Sequence, residues 1–257
     1  MSRTYAGIDV GTSYIKAVLI DSGKEIVGRS VERSGADLKS SIGAAFDNLL
    51  STPGLSREAI GRITATGFGR RNVEFADEVK TEIACHARGA YHHFPRRITV
   101  IDIGGQDTKV IKLDGEGKRT GFKMNRKCAA GTGTFLEEIA GKVGIPMDEM
   151  NDLAKNSQND IPLNSFCTVF ASSEILTRIR EGERVEDMAK SAFESVARRV
   201  IEMDVLEGAV VMTGGVVAYN DIMTDMMRGH IKGEVLIPPE PQLCGAFGAA
   251  LFAKEHQ

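Results

Sequence analysis

The chain has 257 residues, of which 42% are hydrophobic and 26% are charged, and its formal net charge is -3 at pH 7. This length allows one large domain or two of ordinary size, and the composition is ordinary for a globular protein. The small negative charge gives no electrostatic reason to bind nucleic acid or a membrane surface, and no apolar run is long enough to span a bilayer. Because Met1-Ser2-Arg3-Thr4 leads directly into a strand pattern, we expect no signal peptide and a cytoplasmic location.

Strand patterns dominate the beginning of the chain. An apolar run from Tyr5 to Val10 ends in a glycine turn, and a second apolar run begins at Tyr14. Apolar residues then recur at helical spacing up to Leu49, and Pro53-Gly54 marks where this helix should stop. In chain order, this part is predicted to contain strands at 5–10, 14–20 and 25–32, a helix at 38–49, a strand at 60–65 and a helix at 82–92.

The opening pattern occurs again in the middle of the chain. Residues 7–18 read GIDVGTSYIKAV and residues 100–111 read VIDIGGQDTKVI, so that Ile, Asp, Gly and Lys recur in register. A chance match of the short Asp-x-Gly part is easy, whereas a match that extends to a lysine at the same spacing is not. We therefore predict a duplicated α/β domain, with one copy in residues 1–95 and the other in residues 96–257.

The second copy continues with a similar alternation of elements. Residues 127–133, KCAAGTG, form a glycine-rich turn that should open a helix, and Pro146 should end that helix. The further predicted elements are a strand at 117–124, helices at 147–155, from 172, at 189–203 and at 221–227, strands at 208–212 and 235–237, and a final helix at 243–253.

Three glycine turns each follow an apolar strand pattern: Gly11-Thr12-Ser13, Gly104-Gly105-Gln106 and Gly214-Gly215. Such turns bring backbone N–H groups close to a phosphate because no Cβ atom intervenes. Thr12 and Ser13 add hydroxyl donors, and Lys16 adds a cation. One such turn is weak evidence, but three of them favour a nucleotide site, although not a Walker-A loop.

Two aspartates and a glutamine complete this pattern. Asp9 and Asp102 end their strands next to the first two turns, where a carboxylate suits Mg²⁺ or the orientation of an attacking water molecule. Gln106 is a further candidate for placing that water. We expect these three side chains to do the catalytic work.

Four cysteines are present, and none of them forms a C-x-x-C pair. Cys85 and Cys244 are interpreted as buried, apolar thiols. Cys128 and Cys167 each lie in a segment rich in small and hydroxyl residues and precede a predicted helix. From their spacing alone, structural thiols are favoured over ligands. Two cysteines cannot complete a four-thiolate iron–sulfur site, but a two-fold symmetric dimer would supply four.

At this point the sequence resembles the superfamily of sugar kinases, Hsp70 and actin. Residues 8–16 and 101–107 are similar to its two phosphate motifs, and residues 211–216 are similar to its adenosine motif. The resemblance implies two ribonuclease-H-like, actin-like ATPase domains hinged about a cleft that binds ATP and Mg²⁺. Kinases of the superfamily usually carry a large insertion with a sugar-binding base, and this chain has no room for one.

Residues 101–107, 127–133 and 166–171 together resemble the ATPase activators of 2-hydroxyacyl-CoA dehydratases, of the BadF/BadG/BcrA/BcrD type. The resemblance implies a homodimer that shares one [4Fe–4S] cluster, with Cys128 and Cys167 as the metal ligands of each chain. It also implies that ATP hydrolysis drives a low-potential electron into an iron–sulfur dehydratase or reductase that acts on an acyl-CoA. A ferredoxin or flavodoxin would be the electron donor.

The same resemblance places further residues and leaves alternatives open. Gly133 would border the nucleotide, and Gln242 would line the adenine pocket. A subunit of benzoyl-CoA reductase is one alternative function, and a small-metabolite kinase with structural cysteines is another.

His86 is expected to be a packed or capping histidine, and His92-His93 is expected to form a surface turn.

Overall fold

The structure is a computed structural model that describes residues 3–51 and 55–255; the helix end predicted at Pro53-Gly54 lies outside them. The chain divides into two compact units. Unit 1 consists of Met1–Arg97, Leu113–Thr120 and Gln242–Gln257, and unit 2 consists of Ile98–Lys112 and Gly121–Pro241.

Unit 1 is built on a five-stranded sheet in the order β3-β2-β1-β4-β5. The strands are β1 (Thr4–Val10), β2 (Tyr14–Ile20), β3 (Ile26–Arg33), β4 (Ile60–Thr66) and β5 (Glu78–Val79). The central strand β1 pairs antiparallel with β2 and parallel with β4, and every residue of it is buried. A continuous apolar strand is what burial on both faces requires.

Three helices belong to unit 1: α1 (Leu38–Ser51), α2 (Glu82–His93) and α9 (Cys244–Glu255). One face of α1 buries Ile42, Phe46 and Leu49 in the apolar core beside the sheet, as helical spacing predicts. The N-terminus of α2 is capped by Thr81, whose side chain accepts a hydrogen bond from the backbone N–H of Ala84.

Glycines allow α9 to pack unusually close to its neighbours. A Cβ atom on Gly7 of β1 would collide with the carbonyl oxygen of Ala246, and one on Gly248 would collide with the carbonyl oxygen of Cys85 in α2. The sequence places residues 242–257 in the second copy of the duplication. Their packing instead assigns them to unit 1, because the small residues of α9 fit against β1 and α2.

The sheet of unit 2 has the order β10-β9-β6-β7-β8, which repeats the first order strand for strand when read from the other end. The strands are β6 (Ile98–Ile103), β7 (Thr108–Leu113), β8 (Arg119–Asn125), β9 (Glu207–Thr213) and β10 (Lys232–Leu236). In both units the first strand lies centrally, with its hairpin partner on one side and a parallel strand on the other. The duplicated α/β fold predicted from the sequence is confirmed.

The helices of unit 2 are α3 (Gly133–Val143), α4 (Met150–Lys155), α5 (Thr168–Arg180), α6 (Val185–Ile201), α7 (Gly215–Tyr219) and α8 (Asp221–His230). Helix α5 begins at Thr168 rather than at the predicted residue 172, since Cys167 has the extended backbone of an N-cap residue. The short helix α7 is not predicted by the sequence pattern. No helix in the described part of the chain is long and apolar enough to cross a membrane.

Candidate functional site

The first predicted phosphate turn joins β1 to β2 in unit 1. The backbone N–H of Gly11 donates to the carbonyl of Tyr14 over 3.0 Å, which closes the hairpin. Asp9 ends β1 and faces Lys16 across the ladder, with 3.6 Å between the ammonium nitrogen and Oδ2. The Lys16 side chain keeps 18% of its surface exposed. The pair is therefore loose enough for Lys16 to reach an anionic ligand.

Thr12 and Ser13 lie at the tip of this turn, where Thr12 is exposed and Ser13 is half-buried. Ser34, the residue after β3, holds the turn in place. Its backbone N–H donates to the carbonyl of Ser13, and its hydroxyl donates to the carbonyl of Gly11. The predicted hydroxyl donors are thus held on a well-anchored turn.

The equivalent turn of unit 2 holds its lysine more tightly. Lys109 lies 3.1 Å from Asp102 Oδ2 and 2.6 Å from Asp107 Oδ1, and only 3% of its side chain is exposed. Thr213 of β9 donates its hydroxyl to Asp102 Oδ1 over 3.2 Å. The Gly104 N–H closes this turn on the carbonyl of Asp107, as Gly11 does in unit 1. With two carboxylates around it, Lys109 is a structural cation, which distinguishes it from Lys16.

Helix α3 is joined directly to the second turn. The backbone N–H of Gly133 donates to the carbonyl of Gly104 over 2.9 Å, and Thr134 donates to the carbonyl of Gly105 through its N–H over 2.7 Å and its hydroxyl over 2.6 Å. These N–H groups are therefore occupied, and Gly133 is itself buried, with Val216 and the turn 3.2–3.4 Å from where its Cβ atom would be. Gln106, at the tip of the turn, is exposed. The sequence did not predict that Thr134 joins α3 to the turn, because this hydrogen bond is made to Gly105, 29 residues earlier in the chain.

The third glycine turn lies between β9 and α7. Gly214 has a positive φ of 98° and donates its N–H to the carbonyl of Pro241 over 2.9 Å. A Cβ atom there would collide with the carbonyl oxygen of Ile103 at the end of β6, so the position requires glycine. Gly215 begins α7. Gln242 is half-buried in a one-turn 3-10 helix at Pro241–Leu243.

The four cysteines fall into two classes. Cys85 and Cys244 are buried, as predicted, and burial raises the pKa of the Cys85 thiol to about 12. In contrast, Cys128 is exposed and Cys167 is half-buried. The accessible thiols are therefore the two that the sequence proposes as ligands.

The segments that carry these two thiols contact the same residue of α6. A Cβ atom on Gly131 would lie 2.9 Å from Cβ of Arg199, and the guanidinium of Arg199 lies 4.2 Å from the ring centre of Phe166. The loop of Cys128 is further held by Asn125, whose side-chain amide donates to the carbonyl of Cys128 over 3.1 Å. Both segments therefore lie on one part of unit 2.

The donor set of a single chain is small. Within residues 3–51 and 55–255, no group of three or more His, Cys, Asp or Glu side chains could hold a metal ion. Large apolar side chains are exposed beside Cys167, namely Phe166, Val169 and Phe170.

The histidines of α2 differ in their surroundings. His86 is buried, as expected for a packed residue. The prediction of a surface turn at His92-His93 is wrong, because both residues lie in the last turn of α2 and pack on Phe247 of α9, with ring centroids 5.3 and 5.1 Å away. The small residues around Phe247 let α2 approach closely enough to cover these rings.

Two units with the same strand order, each with an Asp-containing glycine turn and a lysine on the next strand, form the actin-like ATPase fold. Residues 6–253 match the BadF/BadG/BcrA/BcrD ATPase family, and the chain belongs to this family. The family identified from the motifs is confirmed.

Three known proteins illustrate the relationship. The activator of lactoyl-CoA dehydratase from Anaerotignum propionicum is 43% identical over 252 residues, covering 97% of this chain and 96% of that protein. The solved structure of the activator of the 2-hydroxyisocaproyl-CoA dehydratase from Clostridium difficile, with bound ADPNP, matches with a TM-score of 0.93 at 39% identity, covering 98% of this chain and 95% of that chain. A subunit of the benzoyl-CoA reductase from Thauera aromatica is more distant, at 28% identity over 259 residues, covering 96% of this chain and 92% of that protein.

Proposed function

We propose that the chain is an ATP-driven one-electron carrier that activates a 2-hydroxyacyl-CoA dehydratase. Membership of an ATPase family supports the use of ATP, and the names of the relatives support the activation of a dehydratase: one is the lactoyl-CoA dehydratase activator at 43% identity, and another is a 2-hydroxyisocaproyl-CoA dehydratase activator at 40% identity. The partner would be an iron–sulfur enzyme that acts on an acyl-CoA, and a ferredoxin or flavodoxin would be the donor. The cytoplasmic location stays a prediction from the sequence.

The connection between the accessible thiols and the second phosphate turn carries this proposal. Cys128 is exposed on the loop that precedes α3, and the first residues of α3 are hydrogen-bonded to the carbonyls of Gly104 and Gly105. A shift of this turn on nucleotide binding would be transmitted through those bonds to the Cys128 loop. A kinase with structural cysteines would not need an exposed thiol on this loop.

Cys128 and Cys167 would hold the metal centre. Thiolates are the usual ligands of iron–sulfur clusters, and each chain offers these two accessible thiols. A four-thiolate site therefore requires a second copy of the chain, which supports a homodimer with one [4Fe–4S] cluster shared between its subunits. When bound, the cluster would supply one-electron chemistry at low potential.

The phosphates of ATP or ADP would be bound by the glycine turns. In unit 1, Lys16 supplies a positive charge, and the turn that carries Thr12 and Ser13 supplies hydroxyl and N–H donors. In unit 2, the candidates are the turn Gly104-Gly105 and the helix start at Gly214-Gly215. Gly133, next to the turn Gly104-Gly105, and the half-buried Gln242 are the further predicted contacts.

The hydrolytic chemistry would use three side chains. Asp9 and Asp102 are buried carboxylates at the ends of β1 and β6, where they would orient Mg²⁺ through water or hold the attacking water. Gln106 is exposed at its turn and would place that water. Since the nucleotide acts by changing conformation, no base as strong as a kinase aspartate is required.

Anaerobic reconstitution with iron and sulfide tests the proposal. We expect about four irons per dimer, the absorption of a [4Fe–4S] cluster, and an EPR signal after reduction with dithionite. Cys128→Ser and Cys167→Ser should abolish the cluster, whereas the matched control Cys244→Ser should retain it. Full retention of the cluster in Cys128→Ser would refute the proposal.

The two alternatives make different predictions. A small-metabolite kinase would phosphorylate its acceptor equally fast with and without oxygen, and Cys167→Ser would not change that rate. A component of a benzoyl-CoA reductase would purify from its native source in a stable complex with non-identical subunits. The lower identity to the reductase component, 28%, favours the separable activator.

A further inference from the structure

The segment of residues 157–167 has no helix or strand, yet it is held by hydrogen bonds along its length. It runs from the end of α4 to Cys167, the N-cap residue of α5. Irregular backbone of this length usually has considerable conformational freedom. Here, side chains from α5 and α6 remove much of that freedom.

Asp187, in the first turn of α6, binds the beginning of this segment. Its Oδ1 accepts hydrogen bonds from the hydroxyl of Ser157 over 2.8 Å, from the N–H of Gln158 over 2.8 Å and from the N–H of Asn159 over 3.1 Å. Its Oδ2 accepts from the side-chain amide of Asn159 over 2.8 Å. The Asp187 side chain is fully buried. These hydrogen bonds, that from Asn159 first, hold the pKa of the carboxyl well below its usual range.

Further contacts hold the rest of the segment. Ser191, one turn further along α6, donates its hydroxyl to the carbonyl of Ile161. Glu174 of α5 accepts hydrogen bonds from the backbone N–H of Asn164 over 3.0 Å and from its side-chain amide over 2.9 Å. Arg178 binds Glu174 over 2.6 Å and also donates to the carbonyl of Pro162 over 3.2 Å.

A carboxylate is the side chain that this arrangement requires at position 187. Four donors converge on its two oxygens, and an ionised carboxylate is a group that only accepts. An amide of the same shape would keep one oxygen for the three donors at Oδ1, but it would remove the charge that strengthens these bonds and would turn an NH₂ group toward the Asn159 amide. The arrangement therefore depends on charge and acceptor capacity, not on side-chain volume.

We propose that Asp187 is a positioning residue for Cys167: by binding residues 157–159 it fixes the segment that delivers this thiol to the iron–sulfur site. The inference rests on the proposed function only for the role of Cys167 as a ligand. Preorganised ligands bind a metal centre without first having to be ordered, and they shield it from exchange. Loosening the segment should make the Cys167 thiol more reactive and the cluster easier to lose.

The test uses Asp187→Asn in the full chain, first without metal. Hydrogen–deuterium exchange of residues 157–167 should become about tenfold faster or more, because charged hydrogen bonds are lost. Alkylation of Cys167 by iodoacetamide should accelerate similarly, while alkylation of Cys128 should not. Glu186→Gln is the matched control, since Glu186 neighbours Asp187 and forms a half-buried ion pair with Arg184.

A second measurement uses the reconstituted dimer. The oxidised cluster of Asp187→Asn should lose its visible absorption faster in the presence of an iron chelator under anaerobic conditions than the cluster of Glu186→Gln. In case Asp187→Asn fails to fold, Ser157→Ala, which removes a single donor, should show a smaller change of the same kind. If hydrogen–deuterium exchange of residues 157–167 and alkylation of Cys167 proceed at the same rates in these variants as in Glu186→Gln, the positioning role is wrong. If the reactivity changes as expected but the wild type binds no iron, the iron–sulfur proposal fails and the positioning role stands.

Discussion

Replacing Lys109 with methionine should destabilise the protein more than the equivalent change at Lys16. Methionine keeps most of the side-chain volume and removes the charge. At Lys109 the change leaves Asp102 buried without its cation, and removing one partner of a buried ion pair typically costs about 3–5 kcal/mol. Asp107 can turn to solvent, since 27% of its side chain is exposed, so we expect the lower end of that range, about 3 kcal/mol. For a chain of this size that corresponds to a melting temperature lower by roughly 6–12 °C.

The duplication supplies the control for this experiment. Lys16 occupies the equivalent position, but its ammonium is 3.6 Å from Asp9 and 18% of its side chain is exposed. Asp9 is buried, but its contact with Lys16 is longer and the ammonium reaches solvent, so breaking this pair should cost less, about 1–2 kcal/mol. Thermal unfolding of Lys109→Met and Lys16→Met, followed by circular dichroism without nucleotide, measures both. If Lys16→Met is destabilised as much as Lys109→Met, the assignment of Lys109 as the structural cation is wrong.

Three further predictions concern other parts of the molecule. Gly214→Ala should lower the free energy of unfolding by about 2 kcal/mol or more, because it adds a backbone clash to the strain of a positive φ. Gly144→Ala is the control: its Cβ would meet no atom within 4 Å, so it should cost only the φ strain of about 1–2 kcal/mol. Urea unfolding measures both variants. Burial lowers the pKa of both His92 and His93 below 6.5, so the unfolded chain binds more protons at these residues than the folded chain does. The free energy of unfolding should therefore fall as pH drops below 6.5. In the double variant His92→Gln/His93→Gln, the melting temperature should depend less on pH in this range. Addition of ADPNP should change the alkylation rate of Cys128 more than an equal concentration of AMP does, and equal effects would contradict the coupling of its loop to the phosphate turn.

The duplicated fold could be predicted because its signal is local. A strand, a glycine turn and a strand with lysine at fixed spacing occur twice in the sequence, and the same strand order results in both units. The glycine turns and the accessible cysteines lie in equally short motifs. Residues whose roles are set within about ten positions of the chain are therefore visible in the sequence.

The parts that escaped prediction depend on contacts between distant segments. Asp187 looks like an ordinary acidic residue in the first turn of a helix, where it favours the helix dipole. Its role becomes apparent only when residues 157–159 are placed against it. In the same way, His92-His93 has the polarity of a surface turn, and its burial follows from the close approach of α9.

The two proposed ligands of each chain are held in different ways, and this difference bears on how nucleotide could act. Cys128 lies on a loop whose following helix is hydrogen-bonded to the turn Gly104-Gly105, a candidate phosphate contact. Cys167 ends a segment that is bound to α6 through Asp187, and none of these hydrogen bonds involves a glycine turn. A movement of the turn Gly104-Gly105 would therefore reach Cys128 through the start of α3, and would reach Cys167 only through Arg199 of α6, which both segments contact. The reactivity of Cys128 is therefore expected to respond to nucleotide more than that of Cys167, which serves as the reference thiol in the same chain.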